Sequence, residues 1–259
     1  MLKTPKFKEH SFLVYGLGLT GISVVKFFKK KKISNFTVFD DKKKNLYKSH
    51  RVKNLTKTLK QTDYIVLSPG ISLNKKKNLR KYKKKIITDI DLFYLLNKKF
   101  KSIVVTGTNG KSTTCKLLYH LLKKKKFKCY LGGNIGKPIL NLNEVNKNFV
   151  IIEASSFQLS HSKFIRPDFS IFLNFTNDHL DWHKSKKEYL NAKLKIFENQ
   201  NKNQYALIEK TLKIIFKKRK FLSKLIIPKI EDYKKIKHKI KNNYLASDIN
   251  DENMSFVFA

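Results

Sequence analysis

Apolar and polar residues along this chain repeat one order: a short apolar run, a turn bearing glycine or proline, then a longer stretch with helical spacing. Residues 11–15 (Ser-Phe-Leu-Val-Tyr) form the first run and pass through Gly16-Leu17-Gly18-Leu19-Thr20-Gly21 into a helix predicted to reach about Lys30. Further runs lie at 36–39, closed by Asp40, and at 63–67, broken by Ser68-Pro69-Gly70-Ile71. A helix is predicted over about 89–97, followed by a basic joint from Lys98 to Lys101. The pattern then restarts, with strands predicted at 102–106, 149–152 (ending at Glu153) and 169–174, and an amphipathic helix at about 112–122. Apolar runs separated by helices predict an α/β protein with largely parallel sheets, divided into residues 1–97 and 98–259. Beyond Gln204 the signal weakens, because residues 210–241 mix apolar and basic positions without clear punctuation.

The most specific chemistry sits where the run at 102–106 enters its helix through Gly107-Thr108-Asn109-Gly110-Lys111-Ser112-Thr113. Glycines in such a loop let backbone N–H groups approach phosphate oxygens, the lysine offsets β/γ charge, and the next hydroxyl can hold Mg²⁺ at the helix N-terminus. A nucleoside triphosphate, ATP, is the expected ligand. The loop is shorter than the commonest form, which has glycine where Val105 stands. This makes the second unit a P-loop-type α/β domain and the first, with its Gly-x-Gly-x-x-Gly turn, a Rossmann-like one. Asp40 about 20 residues beyond that turn completes the textual fingerprint of a dinucleotide site, although the same turn serves any diphosphate seated on the first helix of such a sheet.

Charge alters the picture less than its size suggests. The 57 Lys and Arg against 19 Asp and Glu give +38, yet the lysines lie in runs at helix ends and loops along the whole chain, and no aromatic-interleaved basic stripe appears. No nucleic-acid partner is expected, while anionic small molecules would be steered by such a field. Two cysteines, Cys115 and Cys129, are too few for a disulfide framework. The polar stretch Met1 to His10 has no apolar leader core, and no run approaches a membrane span, so a cytoplasmic protein without a membrane partner is expected. The oligomeric state is not legible.

Glu153 ends a strand at the sheet edge that presents Lys111, where a carboxylate can hold a magnesium ion. Asp178, His179, Asp181 and His183 cluster after another strand; zinc is one reading, but the short spacing lacks a fourth ligand, and a lone imidazole near magnesium or a carboxylate-satisfied histidine fits better. These motifs together resemble the Mur ligases of peptidoglycan synthesis. The resemblance rests on residues 16–21, 68–71, 107–113, Gly133-Asn134-Ile135-Gly136, Glu153-Ala154-Ser155-Ser156-Phe157-Gln158-Leu159, Asp178-His179-Leu180-Asp181 and Ala192-Lys193-Leu194, all in family order. The Ser-Ser-Phe-Gln-Leu run is similar to that of the D-glutamate-adding member.

The resemblance implies an ATP-dependent carboxylate-amine ligase that joins D-glutamate to UDP-N-acetylmuramoyl-L-alanine through an acyl phosphate, with Mg²⁺. The first glycine turn would then hold UDP, with Leu19, Thr20, Asp40, Ser68, Pro69, Gly70 and Asn134 binding the sugar nucleotide. Gly107 to Thr113 and Asn250 would bind ATP, the latter within Ile249-Asn250-Asp251-Glu252-Asn253, which resembles a run near the adenine. Lys111, His179 and Lys193 would be catalytic, and Ser112, Glu153, His179 and a carbamylated Lys193 would hold metal. The family's third domain has no counterpart in this sequence, so a ligase incomplete at the C-terminus is expected. Other readings are another Mur or folate-type ligase, a non-catalytic nucleotide-binding remnant, or, from the first turn alone, a dinucleotide oxidoreductase.

Overall fold

The structure is a computed structural model that describes residues 7–97, 99–143, 145–179 and 181–259. Met1 to Lys6, Lys98 in the predicted joint and Leu180 in the His179 motif lie outside the described residues. The first sheet is built from β1 (Phe12–Tyr15), helix α1 (Leu19–Lys30), β2 (Phe36–Phe39), α2 (Leu55–Gln61), β3 (Tyr64–Leu67), β4 (Ile86–Ile87) and α3 (Asp89–Leu96), with strand order β2-β1-β3-β4. The second contains β5 (Lys101–Thr106), α4 (Lys111–Lys124), β6 (Cys129–Gly133), β7 (Phe149–Glu153), α5 (Ser156–Ser160), β8 (Phe169–Phe172), α6 (Lys186–Glu198), β9 (Tyr205–Ile208), α7 (Lys213–Lys218) and β10 (Lys224–Ile226), followed by α8 (Ile230–Lys237) and α9 (Asp251–Phe258). Its order is β10-β9-β8-β5-β7-β6. The ladders that define both sheets are parallel.

Parallel pairing explains the near-continuous apolar runs, since helices cover both faces of each sheet. Alternate residues of β5 and β7 go to opposite sides: Val104, Val150 and Ile152 join one apolar cluster, Ile103, Val105 and Ile151 another. The first of these also takes in Phe12, Val14, Val38 and Val66, so one cluster spans residues of both sheets. Burying each such side chain stabilises by about 1.5–3 kcal/mol relative to exposure. The close fit of α1 to β1 depends on Gly21, where a methyl group would overlap the Gly16 carbonyl oxygen.

The predicted elements recur within two residues, with two instructive differences. The run predicted as a strand over 169–174 leaves the ladder after Phe172, and Asn174 turns its amide to the phosphate loop. The weakly patterned region beyond Gln204 adds two more parallel strands, β9 and β10. No described helix is long and apolar enough to cross a membrane.

A buried carboxylate ties α3 to the segment between α5 and β8. Thr88 caps α3 and forms a reciprocal pair with Asp91, whose Oδ2 accepts from the Thr88 backbone N–H at 3.0 Å. The other oxygen, Oδ1, accepts from Ser162 Oγ (2.7 Å), Lys163 N (2.9 Å) and Phe164 N (2.7 Å). The Lys163 ammonium returns to the carbonyl oxygens of Lys83 and Lys84. Replacing Asp91 by alanine strands one buried and two half-buried donors, and a buried donor costs about 1–3 kcal/mol when unsatisfied. Urea unfolding of Asp91→Ala is expected to show a loss of at least ~3 kcal/mol; a loss below ~1 kcal/mol would show that the carboxylate does not carry the joint.

Candidate functional site at the carboxyl edge of the second sheet

Strand β5 points the chain into residues 107–110, and Gly110 takes φ +78, a left-handed conformation open to glycine at little cost. A side chain at Gly110 would also collide with the Asn253 amide, so α9 backs directly onto the loop. Gly110 is the N-cap of α4 and has no side-chain cap, which leaves the first-turn N–H groups and the helix dipole available to an anion. The Asn174 Oδ1 accepts from the N–H groups of Thr108 (3.1 Å) and Asn109 (2.9 Å). The Thr108 hydroxyl lies 3.3 Å from the Tyr189 OH and accepts from Thr176 N at 3.1 Å.

Two lysines converge on this loop. Lys111 Nζ donates to the carbonyl oxygens of Gly107 (2.9 Å) and Thr108 (2.6 Å), and burial lowers its pKa against the opposing pull of Glu153 and Asp178. Lys193, on α6, is fully buried; its Nζ donates to the Gly107 oxygen at 2.6 Å and sits 4.6 Å from the centroid of the Tyr189 ring. Burial, with the like charge of Lys111, brings its pKa from 10.5 to about 7. A fully buried lysine in a chain with so many exposed ones is the least expected side chain of the core.

Glu153 ends β7 in register with Val105 of β5 and Gly133 of β6. Its buried carboxylate accepts from Ser112 Oγ and from Asn134 Nδ2, each at 2.8 Å. Two oxygen donors, a hydroxyl and a carboxylate, thus meet at the start of α4, a donor set suited to a hard divalent cation. Among the described residues no group of three or more His, Cys, Asp or Glu is arranged around a metal position. His183 is buried and turned onto Ser156 Oγ at 3.0 Å, with burial lowering its pKa to about 4. His179 is more exposed, has φ +53, and lies between Phe157 (4.8 Å between ring centroids) and Tyr189 (6.0 Å). It shares Tyr189 with Lys193 as a neighbour.

The first glycine turn lies at the carboxyl edge of the other sheet. Leu19 is 83% exposed at the start of α1, and Thr20 accepts from Ser23 Oγ at 2.7 Å through its carbonyl. Asp40 directs its oxygens inward, to the N–H groups of Leu17 (2.6 Å), Lys42 (2.9 Å) and Lys43 (2.8 Å). Burial alone would raise its pKa, but these three donors together hold it below the usual carboxylate range. Ser68 Oγ donates to the Gly16 carbonyl at 2.8 Å, and Pro69 and Gly70 follow at the rim. Arg51 reaches the carbonyls of Asp40 and Lys43, both at 3.3 Å, placing a guanidinium beside the turn from a position remote in sequence.

The structure therefore brings Gly107 to Thr113, Glu153, Asn134 and Lys193 to one edge, with His179 across Tyr189. Asn250 is buried and donates to the Tyr244 carbonyl at 2.8 Å, and Asn253, one turn further on, faces the loop. Asn174, Tyr189 and Asn253 escaped sequence reasoning. Tyr189 precedes Lys193 by four residues, a spacing that puts both on one face of α6 and could have marked it.

Residues 105–257 match the Mur ligase middle domain family, and residues 10–89 match the N-terminal domain family described as Mur ligase MurD-like. The UDP-N-acetylmuramoylalanine--D-glutamate ligase of Rickettsia prowazekii (strain Madrid E) is 38% identical over 211 residues, covering 78% of this chain and 47% of that protein. The ligase of the same name from Aquifex aeolicus (strain VF5) is 36% identical over 76% of this chain and 46% of its own length. The chain spans about half the length of the curated relatives it matches. In fold it is similar to the UDP-N-acetylmuramate:L-alanyl-gamma-D-glutamyl-meso-diaminopimelate ligase of Neisseria meningitides, at TM-score 0.53 and 13% identity, over 84% of this chain and 77% of that one. With residues 10–89 and 105–257 matched by the two family models and a relative 38% identical over 78% of this chain, the chain belongs to the Mur ligase family.

Proposed function

We propose that this chain carries the sugar-nucleotide and ATP-phosphate sites of a ligase that joins D-glutamate to UDP-N-acetylmuramoyl-L-alanine. The observation that supports this best is the buried Lys193 ammonium against the Gly107 carbonyl of the phosphate loop, next to Lys111. In this reading residues 1–97 hold UDP through Leu19, Thr20, Asp40 and Ser68 to Gly70, and residues 98–259 hold ATP through Gly107 to Thr113 and Asn250. Such a reaction, drawing on ATP and a nucleotide sugar, belongs in the cytoplasm.

The substrate carboxylate is a poor electrophile until one of its oxygens becomes a phosphate. Its oxygen attacks the γ-phosphorus, the β–γ bridging bond breaks and ADP departs; the amine of D-glutamate then displaces phosphate from the acyl carbon, with loss of a proton. Lys111 leaves the Gly107 and Thr108 carbonyls to meet the β- and γ-phosphate oxygens. The first-turn N–H groups of α4 bind the same anion. Ser112 and Glu153 would hold one magnesium ion, and His179 with Lys193 a second. Bound magnesium supplies positive charge that offsets the crowding of carboxylate and phosphates. Lys193 fits this role only as a carbamate, because an amine offers no oxygen ligand, and its lowered pKa supplies the neutral amine that carbon dioxide requires.

Calorimetric titration of the chain with UDP-N-acetylmuramoyl-L-alanine is expected to show saturable binding, and NADH none. Binding of NADH alone would return the first turn to a dinucleotide site, and binding of neither would favour a remnant. For ATP with magnesium, Lys111→Ala is expected to weaken binding by about 2 kcal/mol, roughly 30-fold. Unchanged affinity would remove the loop from the site.

The buried lysine also fixes a pH dependence. Unfolded, the Lys193 amine keeps its proton up to the usual value near 10.5; folded, it loses it near 7. Between those values the unfolded chain binds more protons, so this residue makes stability rise with pH across that window, by about 1.4 kcal/mol per unit of pKa difference at most. Urea unfolding from pH 7 to 10 should therefore show a flatter profile for Lys193→Met than for the unaltered chain. Parallel profiles would mean that the amine stays charged inside the fold.

A further inference from the structure

Residues 68–76, which follow β3, form two consecutive turns that touch both functional edges. Ile71 N donates to the Ser68 carbonyl (3.1 Å), and Lys75 N to that of Ser72 (3.1 Å). Leu73 is buried in the apolar cluster under β1 and β3, and Ser68 is fastened to Gly16. On one side Lys76 Nζ meets Asp41 Oδ2 at 3.0 Å, next to the Asp40 turn. On the other, Asn74 Nδ2 donates to the Trp182 carbonyl at 3.1 Å, across 108 residues of sequence. The Asn74 backbone N–H is itself held by Ser72 Oγ at 3.3 Å, which sets the direction of the side chain.

The receiving carbonyl belongs to the turn that carries His179. Trp182 N (3.2 Å) and His183 N (2.9 Å) both donate to the His179 carbonyl, which ties these two residues to His179. His179 holds a left-handed backbone conformation, whose cost for a residue with a Cβ is of the same order as the gain from one amide hydrogen bond. A single bond at the far end of the turn is therefore enough to shift its population several-fold. The Trp182 indole packs on Phe157 (4.8 Å), His183 (4.6 Å) and His161 (6.0 Å between centroids), and its buried Nε1 has no hydrogen-bond partner among the described residues.

We infer that Asn74 is a positioning residue that couples ligand occupancy of the first glycine turn to the placement of the His179 turn. The inference rests on the sugar-nucleotide reading of that first turn. A ligand seated against residues 68–71 and the Asp40 turn changes the strain on residues 72–76, and Asn74 passes that change to the Trp182 carbonyl. The reacting end of the substrate is then met by a histidine turn set by the binding of its nucleotide end. A residue that only supported the fold would weaken binding and leave no selective signal.

Trp182 is the chain's one tryptophan, so its emission reports on this turn directly. The unaltered chain is titrated with UDP-N-acetylmuramoyl-L-alanine while emission and heat are recorded in parallel, and the same is done for Asn74→Ala and Asn74→Asp, neither of which can donate. The expected result is an emission change in the unaltered chain that saturates with the calorimetric isotherm. In both variants calorimetric affinity should stay within about threefold while the emission change falls at least about fivefold. An undiminished emission change in the variants would overturn the proposal, as would a silent Trp182 in an unaltered chain that binds. Absence of heat and emission change in the unaltered chain would instead overturn the sugar-nucleotide reading, and the coupling with it.

Discussion

A loop can present a helix N-terminus to an anion only when its backbone is held in a shape it does not keep by itself. Here that shape is imposed by side chains from three other segments. Asn174 occupies the Thr108 and Asn109 N–H groups, Asn253 fills the space left by the missing side chain of Gly110, and Lys193 ties the Gly107 carbonyl to α6. Asn174 follows the parallel strand β8, α9 packs against α4, and α6 packs on α5 and β8. The site therefore exists only when the sheet, α6 and α9 are assembled, and its local sequence is necessary without being sufficient.

The two lysines at Gly107 show how the same anchors prepare chemistry. Burial, with the charge of Lys111 second, lowers the Lys193 pKa to about 7, while burial lowers that of Lys111 against the counter-charge of Glu153. In the proposed ligase, a carbamate on Lys193 would turn that relation round, replacing repulsion of Lys111 by attraction. A surface lysine could not do this, because water would screen the interaction and keep the amine charged.

Much of this was legible in the sequence because parallel strands are short apolar runs and their turns carry glycine and proline. β1, β2, β3, β5 and β7 were readable for that reason, and the phosphate loop could be placed from local order alone. β9 and β10 were harder because they lie in or beside a region that mixes apolar and basic positions, and β10 is a three-residue edge strand that begins on an exposed lysine. Side-chain direction was the other limit. Asp40 stands where a ribose-binding acid would, yet its oxygens are taken up by two backbone donors of its own turn and by Leu17 N of the glycine turn. Asn174 read as the end of a strand, and its use on the loop depends on contacts 65 and 66 residues away. The adenine-like run was located, but its helical phase puts Asn253 rather than Asn250 against Gly110.

The distance between the two glycine-bearing edges is a constraint that neither edge can satisfy alone. In the proposed reaction one substrate is held by its nucleotide at the first sheet while its carboxylate must meet a phosphate at the second, so an error in the relative placement of the sheets becomes an error at the reacting atoms. A misplacement of about 1 Å can cost as much as 100-fold in rate. Asp91 is buried and gathers donors from residues 162–164, and Lys163 closes the same joint from the other side. A flexible tether would meet the chain's connectivity equally well. The buried carboxylate is justified by register: it fixes three donors at defined distances, which an apolar contact of equal area does not.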